Sequence, residues 1–481
     1  MVKKILLSAV AAVIFISSSL PVRADIPLGS PVVILMEQTT HEILYTRGDI
    51  HRRMFPASLT KMLTAMVVVD HLSMNTVVIV DQDLLSMPPG FTSAIHFRGE
   101  TVTIYTLMLA MMIRSANESS RVLALAVMRH LHDDPEMDYF TAKPLFSELM
   151  NEKAREIGAM DTNNTNPYGL HEESHFSTAF DLALISAAYM SNPVLAEIAR
   201  TQRFVGDSLN GVQFFGQDIT VYEFVNTNVL LPGGSWPHEH VTGIKTGFTD
   251  AAGRVFAGSA THNDLNLISV VLGGVDDLTR WEDTRALIDF GFANFAFRTI
   301  AVADIPLKSV SIENPRLGDD DIMEVISTMG HTLLLGIDAS VTHEIVFDEE
   351  FVVMTAESES GNVDETTYER QTVLRAPIEE GEIVGTIRYF ANGAVIFEAP
   401  VIAGREVIER TFSSDIQFYR SAFSATVFSL RALPFWITGI IFILGFVRFF
   451  GYLREKRRIK AYYLRKYGKQ RVRRTSRYDG R

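Results

Sequence analysis

The chain has 481 residues, 47 % of them hydrophobic, enough to build a sizeable core in two or three domains. Its formal net charge is −13, and because the C-terminal tail is strongly basic the main body is more acidic still, which argues against a nucleic-acid partner. The absence of cysteine excludes disulfides and thiol chemistry, a composition that suits an exported protein.

Residues 1–24 read as a secretory signal peptide. Lys3 and Lys4 precede an uncharged apolar run from Ile5 to about Leu20, and small residues flank a cleavage point after Ala24. From Pro31 strands and helices alternate. Val32 to Met36 and Ile43 to Tyr45 flank a polar stretch and predict a hairpin. It leads into Phe55-Pro56-Ala57-Ser58-Leu59-Thr60-Lys61 and an apolar helix running to Val69. Ser58 and Lys61 are three apart, a spacing that puts both side chains on one helix face with the amine in hydrogen-bond reach of the hydroxyl. A serine hydroxyl is a poor nucleophile until a base takes its proton. Lysine can be that base when burial and nearby cationic charge bring its pKa toward neutrality. A position in the first turn, just after Pro56, adds the favourable field of a helix N-terminus. By itself the pair is weak, because an exposed helix start with a solvated lysine has the same spacing.

Further along, Tyr105 to Ile113 and Val122 to His130 predict apolar-rich helices, with Arg114-Ser115-Ala116-Asn117-Glu118 as the turn between them. Phe146 to Ile157 predicts a helix ended by Gly158, and Asn166-Pro167-Tyr168-Gly169-Leu170 a loop. Val241 to Thr246, Arg254 to Thr261 and Leu265 to Leu272 predict three strands, the first two joined by a connection over Gly247 to Gly253. An antiparallel meander beside a helical block is an α+β domain whose sheet packs on the Ser58 helix.

Ser58-Leu59-Thr60-Lys61, Ser115-Ala116-Asn117 and Lys245-Thr246-Gly247 stand in the order of the three motifs shared by penicillin-binding proteins and serine β-lactamases, with Ala116 in the place of an aspartate. Residues of about 28 to 298 resemble the D-alanyl-D-alanine carboxypeptidases, the low-molecular-mass penicillin-binding proteins of the serine peptidase class. The resemblance extends to Asn166 to Leu170, His175 with Ser177-Thr178-Ala179, Asn226-Thr227-Asn228 before Leu230-Leu231, and Gly243 to Thr249. Glu118 departs from it, standing where the family usually has aspartate. The fold implied is the β-lactamase/penicillin-binding transpeptidase-like catalytic domain.

The activity implied is release of the terminal D-alanine from peptidoglycan stem peptides, with β-lactam antibiotics as covalent inhibitors and no metal or other cofactor. Ser58 would be the nucleophile and Lys61 its proton acceptor; Ser115 would relay a proton to the leaving amine, and Asn117 would hold the substrate amide or the lysine. Lys245, Thr246 and Gly247 would line the cleft and hold the substrate carboxylate. The backbone N–H groups of Ser58 and Phe248 would form the oxyanion hole. Arg280 resembles a family arginine near that carboxylate, although a surface salt bridge explains it nearly as well. The same site could serve as a DD-endopeptidase or a β-lactamase; for the latter Glu172 and Glu173 lie in the right region without the local pattern a deacylating glutamate needs. A wall-binding anchor with a dead site is disfavoured by the intact motifs.

After about Ala303, short β-branched runs at Thr332 to Leu335, Val341 to Phe347, Phe351 to Thr355, Ile383 to Tyr389 and Ala394 to Phe397 predict a small β-rich domain, read as a sandwich. Arg375 to Gly381 through Val384-Gly385 resembles the family's C-terminal domain. Ala432 to Val447 is uncharged between Arg431 and Arg448; at about 1.5 Å per residue it spans about 24 Å, short of a hydrocarbon core of about 30 Å. Snorkelling arginines and the flanking Leu430, Phe449 and Phe450 make up the difference. The basic residues from Arg454 to Arg477 place the tail in the cytoplasm by the positive-inside rule. The expected division is thus 1–24 signal peptide, 25–302 catalytic domain, 303–410 β-rich domain, 411–430 juxtamembrane linker, 431–450 transmembrane helix and 451–481 cytoplasmic tail. The protein is expected in the cytoplasmic membrane as a single-pass protein, its catalytic domain on the extracytoplasmic side.

Overall fold

The computed structural model describes residues 26–80, 92–94, 96, 98–214, 217–360, 367–427 and 433–471. The expected signal peptide and the tail from residue 472 lie outside the described residues. The chain divides into two compact units, the first running to Ile300 with His331–Thr342 and Phe390–Ile396, the second formed by Ala301–Gly330, His343–Tyr389 and the residues from Phe397 on.

In the first unit, β1 (Val32–Glu37) and β2 (Ile43–Arg47) form the expected hairpin, and α1 (Lys61–His71) follows a single 3-10 turn over Ala57–Thr60. A short ribbon of β3 (Val77–Ile79) and β4 (Thr101–Thr103) precedes α2 (Ile104–Ile113), α3 (Asn117–His132), α4 (Tyr139–Ile157), α5 (Ala179–Ser191) and α6 (Pro193–Arg200). A hairpin of β5 (Arg203–Phe214) and β6 (Gln217–Val225) leads to the meander of β7 (Val241–Thr249), β8 (Gly253–His262) and β9 (Leu265–Gly274), closed by α7 (Asp277–Asn294). The main sheet is antiparallel, in the order β2-β1-β9-β8-β7.

All six residues of β1 are buried, so its continuous apolar run needs cover on both faces. Side chains alternate across a strand. Val32, Ile34 and Met36 pack into the cluster holding Leu59, Met62 and Leu63 of the Ser58 segment. Val33 and Leu35 face the other way, with Leu287 and Phe290 of α7. The sheet is therefore a layer between α7 and the block containing α1, as an α+β domain requires. Each such buried Leu, Val or Met is worth about 1.5–3 kcal/mol, and this burial locks α1 to the sheet that carries Lys245.

Several boundaries differ from the sequence expectation. β7 continues through Gly247 to Thr249, where a connection was expected. α3 begins at Asn117, so Asn117 and Glu118 belong to a helix and not to the turn. α4 begins at Tyr139, capped by Asp138, whose carboxylate accepts from Thr141 N–H at 2.9 Å; Pro144, its sixth residue, has no N–H to give the helix.

Continuing along the chain, β10 (Phe295–Ala301) pairs with β13 (His331–Gly336). β11 (Pro306–Glu313), β12 (Ile322–Ser327), β14 (Val341–Phe347), β15 (Val352–Ser360), β16 (Thr367–Arg375), β17 (Ile383–Ala391) and β18 (Ala394–Ala403) join in one seven-stranded sheet, ordered β14-β17-β18-β12-β11-β16-β15. Strand-forming runs separated by polar turns predict strands, but which edges pair is set by long-range contacts; here the parallel pairing of β11 with β16 joins β15 and β16 to the other five strands.

α8 (Phe412–Val427) is followed by α9 (Leu433–Arg471). The Leu433–Tyr462 part of α9, 30 residues, is long and apolar enough to cross a membrane, and its apolar window has no share buried in the protein.

Candidate active site

Ser58 lies on the 3-10 turn and Lys61 is the first residue of α1, so the two share a face. The Lys61 side chain is fully buried. Its Nζ lies 2.9 Å from Ser58 Oγ, 2.7 Å from Asn117 Oδ1 and 3.0 Å from the backbone oxygen of Tyr168. Two of these partners are carbonyl oxygens, which only accept. A neutral amine has two N–H groups and one lone pair; with the N–H groups given to the carbonyls, the lone pair faces the Ser58 hydroxyl, which then donates to it. Burial, and then the charge of Lys245, push the Lys61 pKa well below its ordinary value, while Glu118 pulls the other way. Once a proton is taken, the ammonium has three donors for the same three oxygens.

The backbone around the serine is held tightly. Ala57 has φ 47°, a left-handed conformation that costs a non-glycine residue about 1–3 kcal/mol. A Cβ on Gly169 would lie 1.8 Å from the Ala57 carbonyl oxygen, so only glycine allows the Asn166 to Leu170 loop to press on this turn.

Ser115, the second motif serine, is buried with φ 65° between α2 and α3. Asn117, one step into α3, donates its N–H to Thr92 O at 3.0 Å. Glu118 Oε1 accepts from Ser93 Oγ and from Ala94 N–H, both at 2.6 Å. The longer carboxylate at this position thus ties the Thr92 to Ala94 segment to the start of α3.

On β7, Lys245 is buried and its pKa is lowered to about 7 by desolvation and then by the Arg280 charge. Its Nζ donates to Thr246 O at 3.0 Å, and the hydroxyls of Thr246 and Thr227 are 2.7 Å apart. Phe248 is half exposed, its ring covered by the Arg254 guanidinium at 3.9 Å. Arg280 does form an ion pair, 2.5 Å from Asp277, yet it is buried; it also donates to Gly247 O at 3.3 Å and lies 4.4 Å from the Trp281 ring centroid. The surface reading of Arg280 therefore fails, and the guanidinium steadies the backbone of β7 beside Ser58.

The structure brings Ser58, Lys61 and Asn117 into direct contact and sets Lys245 close enough to act on Lys61 through its charge. Sequence reasoning missed the Tyr168 carbonyl, a main-chain atom with no residue-type signal, and Asp277. It assigns no task to His175 or Thr227. His175 accepts at Nδ1 from Thr165 N–H at 3.1 Å, which leaves Nε2–H to donate to Thr60 Oγ1 at 2.8 Å, one residue before Lys61. Among the described residues no group of three or more His, Cys, Asp or Glu is arranged to hold a metal.

The family profile of the D-alanyl-D-alanine carboxypeptidases matches residues 22–276, more than half of the chain. The chain belongs to this family. A second profile, that of the penicillin-binding protein 5 C-terminal domain, matches residues 337–409 of the carboxypeptidase. The carboxypeptidase is 28 % identical over 424 residues to the D-alanyl-D-alanine carboxypeptidase DacC of Escherichia coli, covering 84 % of this chain and 92 % of that protein. It is 23 % identical over 385 residues to DacF of Bacillus subtilis, covering 79 % and 86 %. Its fold is similar to the crystal structure of penicillin binding protein 5 from Haemophilus influenzae, with a TM-score of 0.54 at 23 % identity over 80 % of this chain and 98 % of that one. The fold is thus of the penicillin-binding protein 5 type, a catalytic domain with a C-terminal β domain and, here, a C-terminal apolar helix.

Proposed function

We propose that this serine-type D-alanyl-D-alanine carboxypeptidase works through an acyl-enzyme on Ser58. The observation that carries the reading is the Lys61 amine, buried and held between Ser58 Oγ and two carbonyl oxygens. Lys61 takes the Ser58 proton as Oγ bonds to the carbonyl carbon of the penultimate D-alanine. The C–N bond then breaks and the terminal D-alanine leaves, its nitrogen receiving a proton through Ser115. Water hydrolyses the ester and returns the enzyme. Positioned proton transfer of this kind contributes about 10² to 10⁴ in rate. Asn117 orients the lysine, Lys245 and Thr246 receive the substrate carboxylate, and the N–H groups of Ser58 and Phe248 stabilise the oxyanion, each donor worth about 10² to 10³. Arg280 supports this pocket from behind Gly247.

β-Lactams acylate the same serine and leave slowly. A class A β-lactamase mechanism needs a glutamate on the deacylating water; Glu172 instead accepts from Lys143 at 3.2 Å and from Asn166 at 3.1 Å, serving the loop. Mass spectrometry with a pentapeptide stem and, separately, with penicillin tests the reading: released D-alanine and a long-lived adduct on Ser58 are expected, and rapid penicillin turnover without peptide cleavage would overturn it.

The division proposed is residues 25–302 for catalysis and 303–410 for a β-rich stalk, with 431–450 in the membrane. α9 is the anchor, the basic tail lies in the cytoplasm and the catalytic domain faces the peptidoglycan outside it.

A further inference from the structure

We infer that Asn166 is a positioning residue for the reaction, holding the Tyr168 carbonyl as the second acceptor that orients the Lys61 amine. The inference rests on the reading of Ser58 and Lys61 as nucleophile and base.

Asn166 is fully buried. Its Oδ1 accepts three consecutive backbone N–H groups, those of Tyr168 at 3.3 Å, Gly169 at 2.8 Å and Leu170 at 3.0 Å. Its Nδ2 donates to Leu170 O at 3.0 Å and to Glu172 Oε1 at 3.1 Å. With all three N–H groups turned toward one oxygen, the loop curls around Asn166, and the Tyr168 carbonyl is left to accept from Lys61 at 3.0 Å.

Three further contacts fix the loop to the elements that carry the site. Thr64, one turn after Lys61 on α1, donates to Pro167 O at 2.6 Å. Gly169 presses on the Ala57 carbonyl oxygen, which excludes any side chain there. The Tyr168 ring lies 5.5 Å from the guanidinium of Arg121, which is one turn after Asn117 on α3 and also faces the Tyr139 ring at 5.1 Å. The two carbonyl oxygens that take the amine's N–H groups, Asn117 Oδ1 and Tyr168 O, are in this way held by one connected assembly. Neither oxygen can donate, so their joint placement decides where the lone pair points. Without the Asn166 curl the Tyr168 carbonyl is no longer pinned, the amine can rotate, and the ammonium formed after proton transfer loses an acceptor although Lys61 is fully buried.

The test uses the full chain in detergent and reads the rate of Ser58 acylation by penicillin against pH. Asn166→Ala is expected to lower the plateau rate about 10- to 100-fold, the cost of a mispositioned reacting group, and to move the acid limb to lower pH, because a lost acceptor disfavours the protonated amine. Asn166→Ser keeps one short acceptor for the nearby N–H groups; it gives a smaller change in the same direction and serves if the alanine variant does not fold.

A folded Asn166→Ala variant with the wild-type limb and plateau would overturn the inference, as would an Asn166→Ser variant more impaired than the alanine variant. A purely structural role would lower thermal stability and leave the acid limb in place. Persistent labelling of Ser58→Ala would instead sink the nucleophile reading, so the two failures are distinguishable.

Discussion

A Cβ placed on Gly247 would lie 3.0 Å from the backbone nitrogen of Ser58. β7 is pressed against the turn that carries the serine, and the two N–H groups proposed for the oxyanion hole, those of Ser58 and Phe248, belong to the two segments in this contact. Only a residue without a side chain lets them approach.

Gly247→Ala would also bring a methyl group to 2.7 Å from Val255 Cγ2 and 3.2 Å from Ala57 Cβ. Forcing the segments apart is expected to cost about 1–3 kcal/mol of stability. Acylation should fall about 100-fold through lost alignment. Thermal melting and penicillin acylation kinetics on the same sample check both; a near-normal acylation rate would show that the strand can retreat without moving the donors.

Ser58→Ala should abolish penicillin labelling and D-alanine release with the fold intact, since its hydroxyl is not needed to pack the turn. Lys61→Arg should be nearly as inactive, because a guanidinium stays protonated and cannot accept the proton. Intact-mass measurement after incubation with penicillin reads both variants, and adduct formation at a wild-type rate by the arginine variant would mean another group is the base.

Lys245 titrates at about 7 in the folded chain. Above that pH it loses the charge proposed to receive the substrate carboxylate, so KM for a peptide ending in D-Ala-D-Ala should rise as pH climbs through about 7. For stability the sign is fixed by the unfolded lysine, near 10.4. Between the two values the unfolded state binds more protons, so this residue makes stability rise from about pH 7 to about pH 10. Lys245→Met should lessen that slope in denaturant unfolding measured across the range, the rest coming from Lys61. An unchanged slope would place the Lys245 pKa elsewhere.

His175 is held to about 4 by burial, so it is neutral in the folded chain where an unfolded histidine, near 6.5, is already charged. Stability should therefore fall as pH drops from about 6.5 toward about 4. His175→Gln should lose less over this interval than the wild type, even if it is less stable at pH 7. Parallel acid melting curves of the two proteins would contradict the assignment.

A chain ending near residue 410 should leave the membrane fraction and still release D-alanine from short peptides, because every residue placed in the site precedes Ala303. Protease added outside spheroplasts should digest the body and spare the part after Arg448. Digestion of the tail from outside would reverse the proposed orientation.

The sequence by itself determined the family and named the residues proposed for the site. The three-residue spacing of Ser58 and Lys61 on a helix start is a local geometric fact, and the order of the three motifs led to the family that the profile match shows. The runs that became β1, β2, β7, β8 and β9 were legible because strand-forming residues between turn residues carry their own signal. The end of β7 was not, since Gly247 and Thr249 look like connection residues until the neighbouring strand holds them through pairs such as Gly247 with Val255. The tertiary structure alone decided that Asn117 opens a helix, that seven of the β-rich strands join in one sheet while β13 pairs with β10, and that Arg280 is buried behind β7. It alone supplied the Tyr168 carbonyl, because a backbone oxygen has no residue type. Its place beside Lys61 depends on a side chain two residues away and on contacts from α1 and α3, which no local pattern can encode.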